Sequence, residues 1–273
     1  MPPASRWEPP VSTSPSDRVL ALVARAAVLA DVRREVEANH DDNRWWPTAV
    51  TDFRVRMLAA GWSSRVSYRM IDTYARVIRD AAALGFDALA DSTDAEVASL
   101  VAPLGLPRAR IAYLRSLSEV TQGWAKDGID PATGPLDADA MIRSFAEQVH
   151  GASYKVAQCA LLYARGYHCG IIPVDSGMVS KLAPALGLAL PPGPAAHEQM
   201  RHHLEAAVRY RPSAYRALAA RHALTLPADA APTWWTHLVL IYFKRLYLNR
   251  PSPRLCPQRP LCPSVLDCTH LRP

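Results

Sequence analysis

The segment from 140 to 166 constrains the fold most, because its pattern is that of a helix, a tight turn and a second helix. The first helix reads AMIRSFAEQV, the turn contains Gly151 and Ser153, and the apolar helix YKVAQCALLYAR follows. Small residues in a turn permit tight backbone geometry and close approach of a partner. Backbone N–H groups at the start of the second helix can bind phosphate, helped by the helix dipole. The sequence therefore predicts a helical hairpin that can grip a nucleic-acid backbone without reading its sequence.

The remainder of the chain is also patterned as helices, without a run of alternating β-branched residues, so we predict an all-α fold. Asp17 is expected to cap a first helix that runs to about His40. Two lobes are expected, together with a disordered arm and a tail. The predicted ranges are 1–16 for the arm, 17–49 with 136–248 for the hairpin-bearing lobe, 50–135 for the central lobe and 249–273 for the tail rich in Cys and Pro.

Composition narrows the class of protein. With 49% hydrophobic and 21% charged residues, the chain is globular, and no apolar run approaches the roughly 18 residues that span a bilayer. The first residues lack an apolar signal core, so we expect a cytoplasmic protein, with no membrane association. The net charge of +6 suits a protein that contacts nucleic-acid phosphates but is also common among other soluble proteins.

Lys155 and Asp175 are the candidate catalytic residues. Lysine occurs only at positions 126, 155, 181 and 244, and Lys155 opens the second hairpin helix, where the helix dipole and partial burial would lower its pKa. A neutral amine can attack a sugar carbon and form a Schiff base. Asp175 follows a short apolar run and precedes a helix, where its anion is stabilised and can support a developing positive charge. Alternatively, Lys155 is a solvated surface residue and Asp175 is only an N-cap.

Two motifs resemble the helix-hairpin-helix DNA glycosylase superfamily, and most closely its endonuclease III branch. VHGASYKVA matches the family's hairpin LPGVGRKTA, and PVDSGMV matches its VDTHV-like motif. The upstream GLPRARIAYL is similar to a helix start at a similar distance before the family's hairpin. The resemblance spans about 53 to 268. It implies a two-lobed fold with a C-terminal loop containing cysteines, and assigns Lys155 as nucleophile and Asp175 as its electrostatic partner.

The resemblance also implies the activity and the partner. We expect a base-excision repair glycosylase that acts on modified bases in duplex DNA and has AP lyase activity through Schiff-base β-elimination. Gly151, Ser153 and Tyr154 are expected to contact DNA, and the protein to act as a monomer associated with the nucleoid. The chain departs from the motif at Ser153 and Gly177, where the branch has glycine and usually histidine or asparagine. A monofunctional glycosylase and a non-catalytic DNA-binding protein are the alternatives.

Three cysteines in the Pro-rich tail, with five residues between each and the next, suggest a metal site. Thiolates can hold an iron–sulfur cluster or zinc, and ligation would give such a tail its shape. The resemblance implies a [4Fe–4S] loop here, although its first cysteine position carries no thiol. The predicted ligands are Cys256, Cys262, Cys268 and His270. A zinc site, or no metal at all, is the alternative to a cluster.

Two further segments hold candidate DNA contacts. MLAAGWSS matches a family segment whose glutamine fills the gap left by an extruded base, and here that position is Gly61. Trp62 either takes this role or packs in the core, and the core is the expectation. Farther along, Arg108, Arg110 and Arg115 lie on one predicted helix and either contact phosphate or form a solvated face.

Overall fold

A computed structural model describes residues 14–41, 43–45, 49–133, 137–221, 224 and 226–249. Within these residues the chain is built of helices and contains no strand, which confirms the predicted all-α fold. The helices are α1 Pro15–Ala26, α2 Ala30–His40, α3 Phe53–Trp62, α4 Ile71–Leu84, α5 Phe86–Asp91, α6 Asp94–Val101, α7 Pro107–Lys126, α8 Ala138–Gln148, α9 Tyr154–Arg165, α10 Ala183–Ala185, α11 Ala195–Tyr210, α12 Pro212–Ala220 and α13 Thr233–Phe243. Short 3₁₀ turns cover Tyr68–Met70 and Ala102–Leu104, and π-helical segments cover Met178–Leu182 and Lys244–Leu248.

The N-terminal helix begins before the predicted cap. Ser14 caps α1, because its Oγ accepts a hydrogen bond from the Asp17 N–H at 3.2 Å, and Pro15 fills the first helical position. Asp17 therefore lies inside the first turn, where its negative charge interacts favourably with the helix dipole. The single helix predicted to reach His40 is wrong: three residues separate α1 from α2.

The chain forms two compact units whose boundaries differ from the predicted lobes. The described residues of one unit fall within 1–36, 175–226 and 235–273, and those of the other fall within 37–174 and 227–234. The hairpin of α8 and α9 thus belongs to the same unit as the central helices. The reason is packing, since the buried face of α9 lies against α3 as well as against α8.

The core of the hairpin-bearing unit surrounds α3. Trp62 at its end is fully buried and donates its indole N–H to the carbonyl oxygen of Arg110 on α7 at 3.0 Å. This confirms the core position of Trp62 and excludes it as a side chain that fills the gap of an extruded base. Nearby, Tyr113 on α7 is also buried and donates its hydroxyl to the Met57 carbonyl at 3.0 Å, which holds α7 against α3.

Gly61 allows this close approach of α3 and α7. A Cβ built at Gly61 would lie 2.2 Å from ring atoms of Tyr113. We expect Gly61→Ala to lower the free energy of unfolding by about 3 kcal/mol, because overpacking a dense core forces side chains and backbone to shift. Urea denaturation measures the change.

Gly123→Ala is the matched control for this substitution. Gly123 lies in α7, and a Cβ at this position would have nothing within 4 Å of it. Alanine there should raise stability by up to about 1 kcal/mol, since it favours the helix. Equal effects of the two substitutions would contradict the packing role of Gly61.

The arginines of α7 are structural, with the exception of Arg108, which is exposed. Arg110 is 3% exposed and donates to backbone carbonyls, so it is unavailable to a phosphate. Arg115 donates to the carbonyls of Ala90 and Ser92 at the end of α5 and pairs with Asp94 at 2.9 Å. Arg110 is therefore neither a phosphate contact nor part of a solvated face. Arg115, whose side chain is 31% exposed, donates to carbonyl groups that a helix end leaves without donors.

The other unit is organised by α1, α11 and α13. α1 packs on α11, and the fully buried Arg201 of α11 forms ion pairs with Glu198 at 2.7 Å and Glu205 at 3.1 Å. Tyr247 after α13 donates its hydroxyl to Asp31 at 2.5 Å. Across the described residues, no helix has both the length and the apolar character needed to cross a membrane.

Candidate functional site

The predicted hairpin is present and is closed by local hydrogen bonds. Between α8 and α9, Gly151 adopts φ +76°, a left-handed conformation that favours glycine, and Ala152 donates its N–H to the Val149 carbonyl at 3.0 Å. Ser153 caps α9, since its Oγ accepts from the Val156 N–H at 3.4 Å. Serine at the place of the motif's second glycine thus supplies a helix cap.

A serine on α7 fixes the position of this turn. The Ser116 hydroxyl donates to the Gln148 carbonyl at 3.2 Å and accepts from the His150 N–H at 2.9 Å. Gln148 at the end of α8 and His150 in the turn are therefore both attached to α7. No pattern in the sequence marked Ser116, because its partners lie more than 30 residues away.

The turn presents unpaired backbone donors. Among the described residues, the N–H groups of Gly151, Ser153 and Tyr154 donate to no acceptor, and Gly151 and Ser153 are exposed. Unpaired N–H groups at the first turn of a helix attract anions, and the helix dipole adds to that attraction. The arrangement matches what a phosphate contact needs, and contact with DNA stays a prediction.

Lys155 lies in the first turn of α9 and is half-buried. Its amine makes no hydrogen bond or ion pair with the part of the chain that the structure describes. One turn farther along α9, the fully buried Gln158 accepts the Val174 N–H at 2.8 Å. The hairpin helix therefore holds the segment that leads to Asp175, and Gln158 is a residue that the sequence did not single out.

Asp175 caps the helical run that follows it, as predicted. Its Oδ1 accepts from the Met178 N–H at 2.8 Å, and the side chain is 27% exposed. A carboxylate in this position is stabilised as the anion by the N–H groups of the first turn. Asp175 and Lys155 belong to different compact units, so the action of the two as a pair stays a prediction.

Lys244 is a residue of this site that no sequence pattern predicted. Its Nζ forms an ion pair and a short hydrogen bond with Asp175 Oδ2, and the lysine side chain is only 4% exposed. The two residues are 69 positions apart. The only signals in the sequence are the scarcity of lysine and the position of Lys244 at the end of a very apolar helix.

Gly177 leaves the room that Lys244 occupies. A Cβ at Gly177 would lie 3.1 Å from Lys244 Nζ, 3.2 Å from its Cδ and 3.4 Å from Asp175 Oδ1. Contacts near 3.1 Å are tighter than ordinary van der Waals packing. A side chain at position 177, as in the motif that this segment resembles, would therefore press on the lysine.

His197 on α11 lies close enough to Asp175 for the two groups to interact electrostatically. Burial lowers the pKa of His197 below its usual value of 6.5, although the charges of Asp175 and Glu198 act in the opposite direction. Its Nδ1 is buried and has no hydrogen-bond partner among the described residues. The ring is therefore neutral at pH 7.

Two histidines with lowered pKa values predict a loss of stability in acid. Burial also lowers the pKa of His168, with a contribution from His40, against the charges of Asp41 and Asp229. Because the unfolded chain binds protons more readily at both positions, the free energy of unfolding should fall as the pH drops through about 6.5. Urea denaturation between pH 8 and 5 measures this slope.

Single substitutions identify the residues responsible. His168→Gln and His197→Gln should each reduce the slope, whereas His150→Gln, at an exposed position, should leave it unchanged. A slope that neither buried substitution alters would show that other groups cause the acid sensitivity.

The predicted metal ligands Cys256, Cys262, Cys268 and His270 lie outside the described residues. Of the other cysteines, Cys159 is buried in α9, as expected of a core residue, and Cys169 is half-buried. The metal site therefore stays a prediction.

The fold that carries the hairpin, its capping serine and the aspartate at the next helix start is similar to that of a solved DNA glycosylase. A structure of the 3-methyladenine DNA glycosylase MagIII of H. pylori, bound to 1,N6-ethenoadenine, is similar to this chain with a TM-score of 0.52. The likeness covers 79% of this chain and 97% of that one at 13% identity. The likeness concerns the fold, and it agrees with the all-α fold that the resemblance predicted. No protein-family model matches the sequence, and no curated protein matches it.

Proposed function

We propose that the protein is a DNA glycosylase that removes a modified base from duplex DNA. The observation that carries the proposal is the helix-hairpin-helix glycosylase fold, which this chain shares with a 3-methyladenine DNA glycosylase over 79% of its length. In support, the two motifs of the resemblance fall at a capped hairpin turn and a helix-capping aspartate.

The hairpin would hold the DNA backbone. N–H groups of Gly151, Ser153 and Tyr154 would donate to a phosphate near the target nucleotide, with Ser116 keeping the turn rigid. Such contacts position the duplex without reading its sequence, so the base must be selected after it is extruded into a pocket.

Asp175 would act on the sugar. As the bond from C1′ to the base nitrogen breaks, its electron pair leaves with the base and positive charge develops on the sugar ring. The ionised carboxylate, held by the Met178 N–H, would stabilise that charge. A water molecule that adds to C1′ and loses a proton then completes hydrolysis, which leaves an abasic site.

Strand cleavage would require Lys155. Its neutral amine would add to C1′, the sugar ring would open to a Schiff base, and loss of a proton from C2′ would expel the 3′ phosphate. The placement of Lys155 in the first turn of the hairpin helix, half-buried and with no ion pair among the described residues, supports this role.

One observation favours a monofunctional glycosylase as the second candidate. The Asp175 carboxylate is already paired with Lys244, and a paired carboxylate is a poor base for the deprotonation of a second lysine. In that case the base is released and the strand stays uncut.

Base release and strand cleavage are tested separately. Duplexes that carry 1,N6-ethenoadenine, oxidised pyrimidines or uracil, together with methylated genomic DNA as a source of 3-methyladenine, are incubated with the protein and assayed for released base. Release from at least one substrate is expected. Borohydride trapping on DNA with an abasic site then detects the lyase: an adduct that disappears in Lys155→Gln supports it. Release without an adduct indicates the monofunctional enzyme, and DNA binding with neither indicates a non-catalytic protein.

We also propose that the three tail cysteines hold a metal group, as a [4Fe–4S] cluster or as zinc with His270 as fourth ligand. Iron, sulfide and zinc contents of the purified protein distinguish these two. Absence of all three would show that the tail carries no metal.

A further inference from the structure

We propose that Lys244 is a positioning residue for Asp175, whose carboxylate it holds ionised and in a fixed orientation in the space that Gly177 leaves open. This inference rests on the proposed base-excision function. It assigns a role to a lysine that neither motif of the resemblance contains.

The first argument is the set of hydrogen bonds at the carboxylate. Lys244 Nζ contacts Oδ2, and the Met178 N–H donates to Oδ1 at 2.8 Å. With a donor on each oxygen, rotation of the carboxylate about its Cβ–Cγ bond breaks at least one hydrogen bond. The lysine thus fixes an orientation that the helix cap alone would leave adjustable.

The second argument is the difference in burial. The Lys244 side chain is 4% exposed, whereas that of Asp175 is 27% exposed. The lysine is therefore enclosed by the protein and acts through Asp175, while part of the Asp175 side chain remains accessible. A buried ammonium needs a paired anion, so the interaction constrains both residues.

The third argument is the backbone on both sides of the pair. One π-helical segment, Met178–Leu182, begins three residues after Asp175, and the other, Lys244–Leu248, begins at Lys244 itself. The two segments pack against each other, and Lys181 Nζ lies 3.5 Å from the Leu248 carbonyl oxygen. π-Helical turns are rare and occur frequently at functional sites.

The fourth argument is Gly177. A Cβ there would lie 3.1 and 3.2 Å from atoms of Lys244, so a side chain at 177 would require the lysine to shift by a few tenths of an ångström. The glycine that departs from the VDTHV-like motif and the lysine that the motif lacks therefore depend on each other. The space that the Lys244 side chain occupies therefore depends on the glycine at position 177.

The electrostatic consequence concerns the ionisation of Asp175. An ammonium in contact with a carboxylate favours its anionic form, which is the form that can stabilise positive charge on the sugar. The packed elements carry other ionisable groups: Lys181, Arg245 and Tyr247 in the two π-helical segments, and His197, Glu198, Arg201, His202, His203, Glu205, Arg209 and Tyr210 in α11. Of these, His197 responds to the charge of Asp175, so its titration must be separated in a pH profile.

The test compares Lys244→Met with Lys126→Met on the substrate that wild type excises. Single-turnover rates between pH 5 and 8 should show that Lys244→Met lowers base release on the order of 100-fold at neutral pH. The acid limb of its profile should move to higher pH, while DNA affinity stays within about twofold. Lys126→Met, at an exposed position at the end of α7, should match wild type, and His197→Asn identifies any part of the limb that belongs to the histidine. Lys244→Arg, which keeps the positive charge, should retain the wild-type acid limb.

Two outcomes would overturn the positioning role. An acid limb that does not move in Lys244→Met would indicate a purely structural lysine. A borohydride adduct that persists in Lys155→Gln but vanishes in Lys244→Met would make Lys244 the nucleophile instead.

If wild type releases no base, the proposed function fails, and the ion pair is then tested without activity. Thermal unfolding of Asp175→Asn, Lys244→Met and the double variant forms a cycle. A double variant that loses less melting temperature than the two single losses together supports the pair. Additive losses would refute it.

Discussion

Asp175→Asn is expected to lower the rate of base release by about 10²- to 10³-fold, because it removes the negative charge that stabilises the sugar cation. Asparagine caps helices as well as aspartate does, so the hydrogen bond from the Met178 N–H can persist. DNA affinity should change little, since the proposed hairpin contacts lie elsewhere in the chain. Single-turnover base release and a binding titration measure the two effects.

Stability must be followed in the same variant, because asparagine leaves the Lys244 ammonium without its carboxylate. Loss of the pair should cost about 2–3 kcal/mol, less than a fully buried pair, since Asp175 is 27% exposed. The double variant Asp175→Asn with Lys244→Met should recover stability but not activity. Asp137→Asn, at the cap of α8, makes the same change far from any lysine pair and should alter neither. Activity within threefold of wild type in Asp175→Asn would refute the catalytic role.

Arg110→Met is expected to lower the free energy of unfolding by about 4 kcal/mol or more. The Arg110 guanidinium donates to four carbonyl groups, those of Trp62, Ser64, Leu104 and Gly105. Methionine leaves these acceptors without a donor, and each of the two in buried hydrogen bonds, on Trp62 and Leu104, costs about 1–3 kcal/mol when unsatisfied. Burial also lowers the pKa of Arg110.

Arg108→Met on the same helix is the control, because Arg108 is exposed and should change stability by less than about 0.5 kcal/mol. Urea denaturation of both variants gives the two free energies from the midpoint and slope. Arg110→Lys keeps the charge but lacks the planar fork of donors, so an intermediate loss is expected. A loss below about 1 kcal/mol in Arg110→Met would show that the carbonyls find other donors.

Features that depend on neighbours in sequence were predictable. The hairpin turn at Gly151, the cap at Asp175 and the core position of Cys159 follow from helix-start signals, turn residues and apolar periodicity, which act within a few residues. The start of α1 shows the limit of such signals. Two capping residues, Ser14 and Asp17, stand three positions apart, and the structure uses the earlier one.

Features that depend on packing were not predictable from the same patterns. Arg110 and Arg115 looked like a surface face, yet both bind backbone carbonyls of other segments. Likewise, position 61 favours glycine because the Tyr113 ring from α7 occupies the space that a side chain would need. Both arginines, and the tyrosine, contact at least one residue more than 20 positions away, so only the folded chain brings these groups together.

The sequence by itself determined the helical class, the hairpin and the position of an aspartate at a helix start, because hydrogen bonds and periodicity within one or two turns specify them. Only the tertiary structure determined which charged side chain forms an ion pair with that aspartate. Lys244 lies 69 residues away, and its pairing with Asp175 depends on the packing of two π-helical segments and on a glycine that leaves room for the amine. Local sequence patterns determine the helix position at which a side chain lies. The packing of helices that are distant in sequence determines which residues that side chain contacts.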